Sequence, residues 1–297
     1  MAAPERTGSS VLSQIMKPNG TAEASNTNNA SIRVDQRKSR SIANATLQLL
    51  IKSISPIILK LGPPQPPGSP RLTPHKSAQD LCPIVETQLE NIWIYTFIND
   101  SAGIALPKTT QAILLCWRVF KTLRLKNIGC YIRSLPTIQL RNPFRICGDF
   151  TRHWSLEKKK EGRWITLMGD SAGANIALTL DIYAATMFLN SSVEGCSVLR
   201  NVLAICPPTD LRNQIPGIDS IAHKDPVLSR KIIEDAASAW LGDWSRSDPQ
   251  LSPIFADLGA LKHANIKVDG IIAGHDALTP DAILFREHLA DVRAVRN

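Results

Sequence analysis

No run of 18 apolar residues occurs anywhere in the 297-residue chain, and a helix that crosses a bilayer needs about that many. The nearest candidate, ATLQLLIKSISPIILKL at 45–61, is interrupted by Lys52 and Pro56, so no transmembrane segment is expected. The first twenty residues, MAAPERTGSSVLSQIMKPNG, lack the apolar core of a secretory signal, and the terminal AVRN is not a peroxisomal tripeptide. These lacks point to an intracellular, cytoplasmic protein. Cysteine is scattered over Cys82, Cys116, Cys130, Cys147, Cys196 and Cys206 with no C-x-x-C pair. Neither a disulfide framework nor a zinc site is indicated, and the thiols read as small buried apolar groups. Aromatic residues make up only 5% of the chain, too few to interleave with basic side chains as single-stranded nucleic-acid binders require.

What is present is unevenly distributed. The net charge of +8 hides a basic block: residues 118–163 hold twelve Lys/Arg against three acids, whereas residues 164–297 hold eleven basic and sixteen acidic side chains. The block carries no nucleic-acid motif, so no nucleic-acid partner is expected. Residues 1–40 are rich in Ser, Asn, Thr and charge and read as a disordered segment. Residues 41–297 read as a single α/β domain. Within it, residues 41–90 form a helix-and-loop segment placed like a cap, and residues 212–245 form a helical insertion. Apolar positions at helical spacing (Ile42, Leu47, Leu50, Ile54, Ile58) predict a helix over 41–61, interrupted near Pro56. GPPQPPGSP at 62–70 can continue neither a helix nor a ladder, because each proline removes a donor.

IWIYTFI at 92–98 predicts a buried strand. Residues 99–153 carry no sustained period, apart from a helix expected near 109–123. Beyond 160 the pattern is regular. A strand at Trp164–Met168 leads through a tight turn at 169–173 into a helix that runs to about Leu189. A strand within 198–211, a helix over 225–242, a strand within 266–276 and a helix over 279–294 follow. The last helix opens with Thr279 as N-cap, Pro280 in the first helical position and Asp281 in the first turn. Strands that alternate with helices predict a mostly parallel α/β sheet.

Gly169-Asp170-Ser171-Ala172-Gly173 fits G-x-S-x-G in the context that gives this short motif meaning, a strand before it and a helix after it. The flanking glycines let strand and helix cross closely, and Ser171 stands on the turn as a candidate nucleophile. The N–H of Ala172, at the helix N-terminus, is a candidate oxyanion-hole donor. A serine nucleophile needs a base, and the base an orienting carboxylate that follows in chain order. Asp276, just past the apolar strand 268–273, is the candidate acid. Asp281 competes, but its place in the first helical turn suits a capping role.

ITLMGDSAGANIAL, SDPQLSPIFADLGAL (247–261) and AGHDALTPDAILFREHLA (273–290) together resemble the hormone-sensitive-lipase branch of the α/β-hydrolases, especially its fungal esterase-like members, over about residues 160–290. The resemblance implies an α/β-hydrolase fold with Ser171 as nucleophile, Asp276 as acid and Ala172 as oxyanion donor. It also implies a serine hydrolase acting on a small-molecule carboxylic ester or acyl thioester, with a place in fungal secondary metabolism, needing no cofactor and no metal. Two features of the branch are missing. IWIYTFINDSAG (92–103) stands where an H-G-G-G loop belongs, and only 21 residues follow Asp276, too few for the usual final strand and its histidine. None of His75, His153, His223, His263, His275 and His288 matches the expected base. The fold is thus expected to be incomplete in its N-terminal part and at its C-terminal strand, with an open sheet edge prone to aggregation. A shifted reading frame or retained intron between about 99 and 155, with early termination, would account for both gaps. The alternative function is a non-catalytic or degenerate homologue that holds a small ligand in the hydrolase pocket.

Overall fold

A computed structural model describes residues 46–52, 71, 79–80, 84–89, 92–97, 110–116, 164–190, 199–241 and 244–294. Residues 46–52 are helical (α1), within the helix expected over 41–61; Pro56 lies outside the described residues. β1 (Ile84–Leu89) and β2 (Ile92–Phe97) form an antiparallel hairpin in which Leu89 pairs with Ile92. The second strand is the one expected from IWIYTFI. The first was not anticipated: IVETQL reads apolar, apolar, polar, polar, polar, apolar and carries no period-2 alternation.

The main sheet has four parallel strands in the order β3 (Thr110–Cys116), β4 (Trp164–Asp170), β5 (Leu199–Ile205) and β6 (Lys267–Ile271). β3 corrects the helix expected near 109–123. Its register, Thr110↔Trp164 through Cys116↔Asp170, shows why: a short apolar run such as QAILLC suits a buried helix or strand equally, and the neighbouring β4 decides.

Helices α2 (Ala172–Asn190), α3 (Ile218–Ala222), α4 (Arg230–Leu241), α5 (Gly259–His263) and α6 (Thr279–Ala294) complete the described elements. α2 is buried on nearly all sides at its N-terminal half, with Ala174, Ala177, Leu178 and Ile182 in the core. It packs with Leu167 of β4, Val202 and Ala204 of β5, Leu261 of α5 and Phe285 and Leu289 of α6. α4 is amphipathic: Ile233, Ala237 and Leu241, spaced by one turn each, are its buried residues. It begins at Arg230, later than the helix expected from 225. Residues 225–228 instead form a turn, in which Asp225 Oδ1 accepts the N–H groups of Val227 (2.7 Å) and Leu228 (2.8 Å).

Candidate active site

Ser171 sits between the last residue of β4 and the first of α2 with φ at 54°. A non-glycine residue in the left-handed region is strained by roughly 1–3 kcal/mol and stays there only when its surroundings enforce it. The enforcement is visible. The Ser171 N–H donates to Ile205 O of β5 at 2.8 Å, and its carbonyl accepts the N–H groups of Ala174 (2.9 Å) and Asn175 (3.1 Å). A Cβ on Gly169 would lie 2.1 Å from Gly173 O, so strand and helix meet as closely as the G-x-S-x-G spacing led us to expect. Ala172 is buried and opens α2. The first N–H groups of a helix have no partner inside it, and they carry the positive end of the helix dipole.

Asp276 lies in the loop between β6 and α6, half-buried, with Oδ1 accepting the Leu278 N–H at 2.9 Å. Burial holds its carboxyl above the usual carboxylate range, with the charges of Asp225 and Asp170 adding to the rise. The Leu278 N–H and the Cys206 thiol, which both donate to it, pull the other way. Cys206 follows β5, with φ at 46° and its N–H on Ile271 O at 2.8 Å. Its thiol is pushed up to about 12, first by burial and then by Asp276. Asp170, beside the serine, is likewise raised by burial, and the Ser171 N–H opposes that rise. The ends of β4, β5 and β6 thus bring Asp170, Cys206 and Asp276 within electrostatic reach of one another, and Asp170 is next in the chain to Ser171 at the end of β4. Open α/β sheets bind ligands at this carboxyl end of their strands.

The described histidines do not join them. His223, His263, His275 and His288 are exposed, and His263 Nδ1 is occupied by Gly259 O at 2.8 Å. His75, His153 and the IWIYTFINDSAG residues after Phe97 lie outside the described residues. Asp281 binds the loop after β5 rather than the first turn of its own helix. Fully buried, it accepts the N–H groups of Thr209 (2.6 Å) and Asp210 (3.0 Å) and so ties α6 to the loop after β5. Burial raises its pKa to about 7.

Several supporting residues escaped the sequence reading. Asn175, the last residue of GDSAGAN, is buried and donates to Pro208 O (2.7 Å) and Leu251 O (2.8 Å). Ser252 of the D-P-x-x-S-P stretch accepts the Leu211 N–H (2.9 Å) and donates to Arg246 O (2.6 Å). Asp225 Oδ2 accepts the Ala277 N–H at 2.7 Å and holds the residue next to Asp276. The motif positions were legible; their partners, all but Arg246 between 33 and 76 residues away in sequence, were not. Among the described residues there is no cluster of three metal-ligating side chains and no helix long and apolar enough to cross a membrane.

A parallel sheet whose strand turns through a left-handed serine into a buried helix defines the α/β-hydrolase class of folds. The chain belongs to the α/β-hydrolase family: the family model described as alpha/beta hydrolase fold matches residues 111–296, more than half the chain. Among solved structures it is similar to carboxyl esterase 2 of the mycorrhizal fungus Tuber melanosporum. The two share 16% identity over 82% of this chain and 83% of that one, with a TM-score of 0.61. It is also similar to a hormone-sensitive lipase from a metagenome library (15% identity, 84% and 80% covered, TM-score 0.56). A third neighbour is brefeldin A esterase, a bacterial homologue of human hormone-sensitive lipase (13%, 83% and 74%, 0.54). The α/β-hydrolase fold that the sequence resemblance implied is borne out. No curated protein sequence matches the chain significantly.

Proposed function

We propose that the chain is a serine hydrolase of small-molecule carboxylic esters or acyl thioesters. In this reading Ser171 is the nucleophile, Asp276 the acid and the Ala172 N–H an oxyanion donor. The observation that carries it is the strained Ser171, held at φ 54° over the N-terminus of α2. Ser171 Oγ would add to the substrate carbonyl and pass its proton through a base to the departing alcohol or thiol; water would then release the acid and restore the hydroxyl. An intracellular role in tailoring fungal secondary metabolites belongs to the same proposal and rests on the sequence resemblance.

One observation favours a second reading, a non-catalytic homologue that binds a small ligand. The Asp276 carboxylate is met by the Cys206 thiol and by no described histidine. Fluorophosphonate labelling separates the two. Stoichiometric labelling of the folded chain, lost in Ser171→Ala, supports the hydrolase; a folded chain that resists the reagent supports the ligand-binding homologue.

A further inference from the structure

The loop that holds Asp276 rests on the residues between α3 and α4. Asp225 is buried and accepts the Ala277 N–H on Oδ2 at 2.7 Å, while its Oδ1 takes the Val227 and Leu228 N–H groups of its own turn. Ala277 and Leu278 pack with Ile233 of α4 and with Ala222 and Leu228, and the Leu278 N–H returns to Asp276 Oδ1 at 2.9 Å. The backbone leading to Asp225 is itself tightly held: the carbonyl of Ile221 accepts both the Lys224 N–H (2.7 Å) and the Asp225 N–H (3.0 Å). His223 lies within that turn, and its carbonyl accepts the Lys52 ammonium of α1. A buried carboxylate bonded through both oxygens resists displacement, because any shift leaves a buried N–H without its acceptor.

We propose that Lys52 and Asp225 are positioning residues that couple the seating of α1 to the placement of the Asp276 carboxyl. Lys52 fixes the turn at His223, the turn fixes Asp225, and Asp225 fixes the backbone beside Asp276. Whatever lifts α1 from His223 then loosens the loop of the candidate acid, and supporting bonds of this kind set how well a site residue is held. An ordinary surface contact at Lys52 would leave Asp276 unchanged. For catalysis the coupling rests on the reading of Asp276 as the acid. Its readout needs no turnover, so a chain that resists fluorophosphonate can still show the coupling, and a labelled chain can fail it.

Iodoacetamide alkylation of Cys206 in the full chain, followed by peptide mass spectrometry, reads the placement of Asp276, because the thiol donates to that carboxylate and reacts as thiolate. Lys52→Met removes the donor to His223 and should speed alkylation about threefold or more. The urea midpoint should stay unchanged, since Lys52 is exposed. Lys52→Arg keeps a donor for the carbonyl and should react at the wild-type rate. Asp225→Asn has a single acceptor oxygen, which serves the turn or Ala277 but not both, and it should speed the reaction as well. The double variant Lys52→Met/Asp225→Asn should react no faster than Asp225→Asn alone, because the link is already cut. A wild-type rate in Lys52→Met overturns the proposal without recourse to the Asp225 variants. A Lys52→Met effect of equal size in the Asp225→Asn background also overturns it, because Lys52 then reaches the site by another route. Alkylation as fast in Lys52→Arg as in Lys52→Met does the same.

Discussion

The Cys206 thiol donates a hydrogen bond to the Asp276 carboxylate, joining the end of β5 to the loop after β6. The carboxylate raises the thiol pKa by its charge and by that bond, on top of burial. Thiolate is the reactive form, so Cys206 should be inert to alkylation at neutral pH. Asp276→Asn removes the charge and should speed iodoacetamide alkylation of Cys206, by about tenfold for each unit the pKa falls. Peptide mass spectrometry gives the rate at that cysteine; the same rate in both proteins would show that the carboxylate does not govern the thiol.

Gly169→Ala should be among the most damaging single-methyl changes in the chain. The added Cβ would stand 2.1 Å from the backbone oxygen of Gly173, and neither element can retreat, since β4 is held between β3 and β5. A loss of about 3 kcal/mol or more in urea unfolding is expected, in the range of severe backbone and overpacking defects. A loss below about 1 kcal/mol would mean that strand and helix are less tightly crossed than this geometry requires.

Much of the fold beyond residue 160 was legible because each element there carries its own local signal. Pro280 opens α6, one-turn apolar spacing marks α4, and the glycines of G-D-S-A-G fix the turn at Ser171. Thr110–Cys116 was misread because seven apolar-rich residues fit either element, and the parallel partner that decides lies more than fifty residues away. The candidate nucleophile and acid were legible from spacing and chain order. The network around them was not: Cys206 on Asp276, Asp225 on Ala277 and Asn175 on Leu251 are contacts of tertiary structure, and polar side chains give no sequence sign of their partners.

Asp225 joins the helical insertion to the candidate acid. Its Oδ1 accepts Val227 and Leu228, its Oδ2 accepts Ala277, and its charge raises the Asp276 pKa. Asp225→Ala leaves three N–H groups without their acceptor and should cost about 2–4 kcal/mol in chemical denaturation. Asp225→Asn keeps one oxygen acceptor and loses the charge, so it should cost less while lowering the Asp276 pKa, a shift readable by carboxyl-carbon NMR titration. Equal stability losses in the two variants would argue against this division between bonding and charge.

Stability should fall as pH rises from about 4 to 7, the reverse of ordinary acid denaturation in that window. Asp181 in α2 is fully buried, both its oxygens lack a hydrogen-bond partner among the described residues, and burial holds its pKa well above the usual range. Asp281 is buried and raised to about 7. A carboxyl whose folded pKa exceeds its unfolded value keeps its proton longer in the folded state. Folding then binds protons, and stability declines with rising pH between the two values. For Asp281 the decline runs from about pH 4 to about pH 7, at up to roughly 1.4 kcal/mol per unit. Asp181→Asn removes a titratable group that has no partner to lose, so it should stabilise the protein at pH 8 relative to pH 5. Asp281→Asn keeps one oxygen for Thr209 and Asp210 and should flatten the profile further. Melting temperatures across pH 4–8 for the three proteins check this, and a wild-type profile that climbs through the window would count against both assignments.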